Sequence, residues 1–279
     1  MRIYVSSGTK GGVGKSTFAV LLSLKLSKSS KVLLFDADVE CPNDYLLLSQ
    51  KLKESVGFTY QEFPEIDEQK CKKCGVCAKV CREHAIFWVP GKYPIILNDL
   101  CSGCGACKIA CPFNAIRMNR KVSGEIFVNQ INPNLWLVTG LSKPGITETG
   151  PVVKQAKDFV LKFAEERGID YLIVDTAPGT HCNVIQALLN AEKVYAVTEP
   201  TPLGAHDLSI MLELTKRIGI KSEIVLNKSN IGNRKLIEKV SKEYNVPISV
   251  EIPYSEELVK AYSTGKLVEF TDKLKLVVE

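Results

Sequence analysis

The chain has 279 residues, 45% of them hydrophobic and 24% charged, which is the balance of a globular protein and excludes a disordered one. At about 150 residues per domain the length predicts one large domain or two smaller ones, and no apolar run of about 18 residues is present to cross a membrane. The formal net charge of +5 is a weak hint of nucleic acid or acidic lipid. The opening Met1-Arg2-Ile3-Tyr4-Val5 runs straight into a glycine-rich loop, so no signal peptide is expected. Eight of the ten cysteines fall in two tight groups with metal-ligand spacing. That argues against a secreted disulfide scaffold and for a reducing cytoplasm.

In chain order, residues 3–5 read as a short strand and residues 6–14 as a small, glycine-rich loop. Residues 15–28 carry Phe18, Ala19, Leu21, Leu22, Leu24 and Leu26 and predict a buried helix. A strand at 32–35 ends in Asp36-Ala37-Asp38. The pattern then breaks until about residue 128. Further strands are predicted at 135–138, 171–174, 194–197, 223–226 and 248–252, with helices at 152–167, 207–218 and 234–244. Apolar strands alternating with helices imply an α/β fold, a mostly parallel sheet with helices on both faces. The expected domains are 1–57 and 129–279, together one α/β unit, and an inserted small α+β module at 58–128.

Thr9-Lys10-Gly11-Gly12-Val13-Gly14-Lys15-Ser16-Thr17 joins the first strand to the first helix. Backbone N–H groups in such a loop point inward and cradle phosphate oxygens. The helix N-terminus adds partial positive charge and Lys15 a full one, while Ser16 is placed to ligate Mg²⁺. The standard phosphate-loop pattern puts glycine where Thr9 stands. The dinucleotide pattern G-x-G-x-x-G fails at Thr17, which argues against that cofactor class.

The interrupting segment repeats internally. Cys71, Cys74, Cys77 and Cys81 are followed 30 residues later by Cys101, Cys104, Cys107 and Cys111, and Ala85-Ile86 recurs as Ala115-Ile116. Two C-x2-C-x2-C-x3-C runs supply the thiolates that two 4Fe–4S clusters need. Zinc is the rival metal, but its sites usually pair two C-x2-C arms. Gly75 and Gly105 let the backbone wrap closely round inorganic sulfide. Each cluster with its four thiolates carries −2, so a loaded chain sits near +1, and no nucleic-acid partner is expected.

The loop Lys-Gly-Gly-x-Gly-Lys-Ser resembles the deviant Walker A motif of the MinD/ParA/Mrp ATPases. The cysteine module resembles bacterial two-cluster ferredoxins. The whole chain resembles MinD-superfamily P-loop ATPases with an inserted ferredoxin domain. The resemblance implies ATP and Mg²⁺ as ligands, held by Lys10, Gly11, Gly12, Val13, Gly14, Lys15, Ser16 and Thr17. It implies a homodimer with nucleotide at the interface, in which Lys10 reaches the partner's nucleotide. Asp38 would orient the attacking water, with Asn43 close by. Asp36 and the strand-end Asp175 would support Mg²⁺, and Gly179 would hinge the second switch. Asn227 and the backbone at Pro253 stand where such ATPases hold adenine. In two-cluster ferredoxins the fourth cysteine of each run ligates the other cluster. The resemblance therefore assigns Cys71, Cys74, Cys77 and Cys111 to one cluster and Cys101, Cys104, Cys107 and Cys81 to the other. Arg82 replaces the proline expected after Cys81, beside the second of these clusters, where a cation raises the potential.

Asn227-Lys228-Ser229-Asn230 is one residue away from the guanine-reading Asn-Lys-x-Asp, and a neutral amide at Asn230 serves guanine worse than a carboxylate. Cys41 and Cys182 read as small buried thiols; a third metal centre shared by two Cys182 residues across a dimer is the alternative. The histidines receive no role. The tail at 270–279 is short and partly alternating, a poor membrane anchor. Three functions are expected in this order: an ATP-gated electron carrier with a protein redox partner, an iron–sulfur carrier or assembly ATPase serving an acceptor, and a spatial organiser of the ParA or MinD kind.

Overall fold

The computed structural model describes residues 1–270. The chain opens with β1 (Arg2–Ser7), α1 (Lys15–Leu26) and β2 (Val32–Asp36). One turn, α2 (Asp44–Leu47), leads to the ten-residue β3 (Gly57–Ile66). Residues 67–115 hold only short pieces: α3 (Val76–Val80), β4 (Ile86–Phe87), β5 (Ile95–Ile96) and α4 (Ala106–Ile109). The chain returns along β6 (Ile116–Asn132) and β7 (Leu135–Ser142). Helix and strand then alternate through α5 (Gly150–Arg167), β8 (Tyr171–Asp175), α6 (Cys182–Leu188) and β9 (Lys193–Thr198). The last elements are α7 (Pro202–Arg217), β10 (Lys221–Asn227), α8 (Arg234–Tyr244), β11 (Ile248–Ile252), α9 (Glu256–Ser263) and α10 (Leu267–Phe270).

Nine strands form one sheet in the order β11-β10-β9-β1-β8-β2-β7-β6-β3. From β11 to β7 every neighbouring pair is parallel, while β6 and β3 complete the edge antiparallel. Both faces are covered, so the middles of the central strands are apolar on both sides and polar residues gather at their ends. On β2, Leu33 and Phe35 join one core with α5 and α7, and Val32 and Leu34 join the other with α1. Each such side chain, fully buried, contributes about 1.5–3 kcal/mol.

The boundaries expected at 58 and 128 fall inside β3 and β6. These two strands pair from the sheet edge outward, from Gly57↔Ile126 to Ile66↔Ile116, with one register shift at Thr59/Tyr60, and the cysteine-bearing segment hangs from their far end. The inner ends are buried through polar groups, with Thr59 and Ser123 sharing a hydrogen bond of 3.0 Å. The tail expected at 270–279 lies, apart from Phe270, outside the described residues. Among the described residues no helix is long and apolar enough to cross a membrane.

Candidate functional site

The parallel strands deliver their functional residues at their C-terminal ends, as open α/β sheets do. The register of β2 and β8 sets Asp36 opposite Asp175, and that of β1 and β8 sets Ser6 opposite Asp175. Between β1 and α1 the chain makes the predicted loop. Gly12 and Gly14 sit at φ +76° and +101°, conformations that favour glycine, and Gly14 caps α1. A Cβ at Gly14 would also strike the Asn227 amide, which donates from Nδ2 to the Val13 carbonyl at 2.8 Å. A cavity of about 400 Å³ opens over this loop. Gly11, Gly12, Gly14, Lys15, Ser16 and Thr17 form its floor, and Asp38 and Asn43 one side. Asn227, Lys228 and Pro253 form the other side, with a wall from α9 of Leu258, Val259 and Tyr262.

Lys15 is buried, and its Nζ donates to the Lys10 carbonyl at 3.0 Å. Burial lowers its pKa, opposed by the charges of Asp175 and Asp38. Ser16 Oγ donates to Asp175 Oδ2 at 2.6 Å. Behind it, Asp36, Asp44 and Asp175 converge, with one carboxylate oxygen of each within 4.8 Å of the others. Asp36 accepts from the backbone N–H groups of Asn43 (2.8 Å) and Asp44 (3.0 Å). Both carboxylate oxygens of Asp44, and Oδ1 of Asp175, are buried without a hydrogen-bond partner. Burial, reinforced by mutual repulsion, drives Asp36 and Asp44 well above the usual carboxylate range. Burial also pushes Asp175 up to about 7, against the pull of Ser16 and Lys15. A divalent cation beside Ser16 satisfies this negative, under-bonded pocket, so the residues fit Mg²⁺.

Two predicted residues stand elsewhere. Val13 is buried in the core, and only its backbone meets the site. Lys10 does not line the cavity; its Nζ pairs with Glu199 Oε1 at 2.5 Å, and Lys228 Nζ takes Oε2 of the same carboxylate at 2.8 Å. Burial raises the Glu199 carboxyl, but the two ammonium groups outweigh it and hold the group below its ordinary value. Asn230 is committed to backbone: its Oδ1 accepts from Tyr254 N at 2.6 Å and its Nδ2 donates to Tyr254 O at 3.3 Å. Cys41 and Cys182 are both exposed, which corrects the expectation of buried thiols. Cys182 is the first residue of α6, where its side chain projects from the helix start, and Cys41 stands in the turn after Asp38.

The eight clustered cysteines are free thiols arranged with internal two-fold likeness. Gly75 and Gly105 cap α3 and α4 at φ +72° and +74°. Ala85 N donates to Cys81 Sγ and Ala115 N to Cys111 Sγ, each at 3.3 Å. Lys73 N donates to Cys71 Sγ (3.5 Å), and Gly103 N to Cys101 Sγ (3.4 Å). One cavity is lined by Cys71, Cys74, Cys77 and Cys111, and a second by Cys81, Cys101, Cys104 and Cys107, with Arg82 on its rim. Each cavity takes three cysteines from one run and the fourth from the other. The first cavity adjoins Ile66 and Ile116, at the tip of the β3–β6 ribbon; the second adjoins Pro64 and Met118, one step nearer the sheet. Burial raises the Cys77 and Cys101 thiols and pushes Cys107 up to about 11, so their thiolate forms need a cation beside them. Backbone N–H groups aimed at sulfur and four thiols round each cavity fit an iron–sulfur cluster. A single zinc ion needs thiolates about 3.8 Å apart, from its Zn–S length. Among the described residues no three cysteine sulfurs come within 4.8 Å of one another.

A family model described as the CobQ/CobB/MinD/ParA nucleotide binding domain matches residues 4–268. The chain belongs to this family. An uncharacterized protein of Methanocaldococcus jannaschii is 35% identical over 267 residues, covering 95% of this chain and 91% of that one. An iron–sulfur cluster carrier protein of Rickettsia bellii is 23% identical, covering 98% of this chain and 67% of that one. Among solved structures, the cell division ATPase MinD of Pyrococcus furiosus superposes with a TM-score of 0.57 at 18% identity, over 98% of each chain. MinD of Pyrococcus horikoshii complexed with Mg-ADP gives 0.55 at 17%, over 98% of this chain and 95% of that one. At that identity the likeness speaks for the fold.

Within this nucleotide-binding family fold, sequence reasoning missed Asp44, Glu199, Lys228 and the α9 wall. Asp44 had a signal, since it directly follows Asn43 after the Asp-x-Asp. Glu199 had only its place at the end of a buried strand. The α9 residues come from far along the chain and carry no motif.

Proposed function

We propose that this protein binds and hydrolyses ATP, carries two 4Fe–4S clusters, and uses nucleotide to gate one-electron transfer. One observation carries the reading: a single chain holds a phosphate-cradling loop backed by paired carboxylates and, at the outer end of the β3–β6 ribbon, two four-cysteine cavities in series. The loop N–H groups and Lys15 hold and neutralise the phosphates. Ser16 would hold Mg²⁺ through its hydroxyl, with Asp36 and Asp175 as outer support, and the ion would neutralise phosphate charge. Asp38 orients the attacking water. Lys10 leaves Glu199 to stabilise γ-phosphate charge across a homodimer, much as an arginine finger does. Asn227 and Pro253 border the base. With Asn230 bound to Tyr254, a guanine reader is lacking, which favours ATP. The eight cysteines hold the clusters, which when bound supply low-potential one-electron chemistry.

The end of β7 and the segment after it contact the flanks of both sites. A Cβ at Gly145 would stand 3.2 Å from Oδ1 of Asp99, which precedes Cys101 by two residues. Thr149 Oγ1 donates to Glu40 Oε1 at 2.8 Å, and Ser142 N donates to Val39 O at 2.7 Å. Val39 and Glu40 follow Asp38 directly, so this segment is a physical route between nucleotide and clusters. A cluster carrier is the second reading, favoured by relatives named iron–sulfur cluster carrier proteins. Against it, four thiolates per cluster make tightly held cargo.

The test is anaerobic purification with iron, sulfide and zinc analysis and a Mg²⁺-dependent ATPase assay. About eight irons per chain are expected, with ATP turnover that Lys15→Ala removes. Zinc in place of iron, or no ATP turnover, refutes the reading. Transfer of clusters to an apo-acceptor faster than electron exchange favours the carrier.

A further inference from the structure

We infer that the tip of the cysteine module, over the cavity of Cys71, Cys74, Cys77 and Cys111, is the docking face for an acidic one-electron carrier protein. The inference rests on the reading that this cavity holds a redox cluster. Charge on this chain is segregated. Residues 67–121 contain seven lysines and three arginines against two aspartates and two glutamates. That formal +6 exceeds the +5 of the whole chain, so the rest of the protein is slightly acidic. Two clusters at −2 each still leave the module positive.

The positive groups crowd the tip. Lys72 and Lys92 are exposed, Lys73 stacks its ammonium 4.2 Å from the Tyr93 ring, and Lys70, also exposed, pairs with Asp67 at 3.6 Å. Tyr93 Oη donates to the Glu68 carbonyl at 3.2 Å, which ties the turn after β4 to the start of the first cysteine run. Lys72 and Pro94 line the distal cavity itself, and Cys74 is exposed there. Phe113, another lining residue, is 42% exposed, and nearby Ile95 is 58% exposed. Apolar groups ringed by cations at an exposed thiolate make a protein-docking patch, with an apolar centre and a charged rim. The clusters set negative charge at the middle of this ring. A continuous phosphate backbone would cross that charge, whereas a folded partner places its acidic groups on the rim alone. The second cavity, nearer the sheet, has Arg82 but also Glu83 on its border, and Gln61 bonds the Cys101 carbonyl at 3.4 Å. It faces the body of the protein and suits the inner end of a relay. In the exchange the carrier loses one electron and the distal cluster gains it; no bond or proton moves.

The test is stopped-flow reduction of the loaded protein by a pre-reduced acidic bacterial two-cluster ferredoxin, and separately by a neutral photoreduced deazaflavin. With the ferredoxin the rate constant should fall steeply with ionic strength, and about tenfold in Lys72→Glu/Lys92→Glu at low salt. Lys72→Gln/Lys92→Gln should fall between, and Lys235→Glu/Lys239→Glu on α8, at the opposite sheet edge, should match wild type. Deazaflavin should reduce all four proteins equally. A salt-independent rate, or a double reversal that keeps its rate while deazaflavin reduces it normally, overturns the docking face and leaves the cluster reading intact. Tighter binding of a 20-nucleotide single strand than of the ferredoxin at equal salt also overturns it, in favour of nucleic acid. Failure of deazaflavin to reduce the wild type would instead sink the cluster reading, and the docking face with it.

Discussion

Replacing Glu199 with glutamine tests how Lys10 is held. Glu199 is 9% exposed and joins Lys10, 34% exposed, to Lys228, 35% exposed. A charge-assisted hydrogen bond is worth about 1.5–3 kcal/mol when buried. With a third of each lysine in water, screening cuts this to about 1 kcal/mol per pair. The variant should therefore lose about 1–2 kcal/mol of stability at pH 7. The sign with pH follows from a carboxyl held below its ordinary value. Its contribution is full above the unfolded pKa of about 4.3 and fades as pH falls through the lower folded value. The gap between wild type and variant in urea melts should thus be present at pH 7 and close under acid. Turnover should move the other way. Releasing Lys10 removes about 1 kcal/mol from the cost of reaching a partner's nucleotide, so basal ATP hydrolysis should rise about fivefold. Lys10→Ala should keep ATP binding and lose most turnover. A Glu199→Gln protein with wild-type stability and wild-type or slower turnover would show that Glu199 is no latch.

Three further outcomes are expected. Gly14→Ala combines a backbone at φ +101° with a collision at Asn227, costing about 2–4 kcal/mol and weakening Mg-ADP binding by about 30-fold or more in calorimetry; a Kd within threefold of wild type contradicts the loop geometry. The raised carboxyls of Asp36, Asp44 and Asp175 bind protons more tightly folded than unfolded, so nucleotide- and metal-free protein should lose stability as pH rises from about 4 towards 7. Asp44→Asn should flatten that slope in chelator-containing buffer, and an unchanged slope would remove Asp44 from the set. Thr149→Val should leave both nucleotide affinity and cluster content intact while cutting nucleotide-dependent changes at the clusters by at least half; equal changes in both proteins would discard the segment after β7 as the route.

Much of the parallel sheet was legible because its strands are buried on both faces and so carry runs of three or more consecutive apolar residues. The strand expected at 248–252 and the helix at 234–244 match β11 and α8 residue for residue. The β3–β6 ribbon was not legible. Its inner face buries Thr59, Gln61 and Ser123 rather than alternating apolar residues, so the period-two signal is faint. For the same reason the sequence pattern breaks near residue 58 although the sheet continues through β3 and β6. At the nucleotide site, the glycines, Lys15, Ser16, Asp38 and Asn43 carried motif spacing and meet in one cavity. Lys10 and Lys228 meet at Glu199 only because β1 and β10 lie on either side of β9, a relation that linear spacing does not encode.

In the proposed function, nucleotide and clusters are coupled. The direct measurement is an EPR-monitored redox titration of anaerobic protein, with and without Mg²⁺ and a non-hydrolysable ATP analogue. Coupling of about 1.4 kcal/mol corresponds to about 60 mV for one electron. The account predicts a shift of that order in at least one midpoint potential. Identical potentials at saturating nucleotide would contradict it.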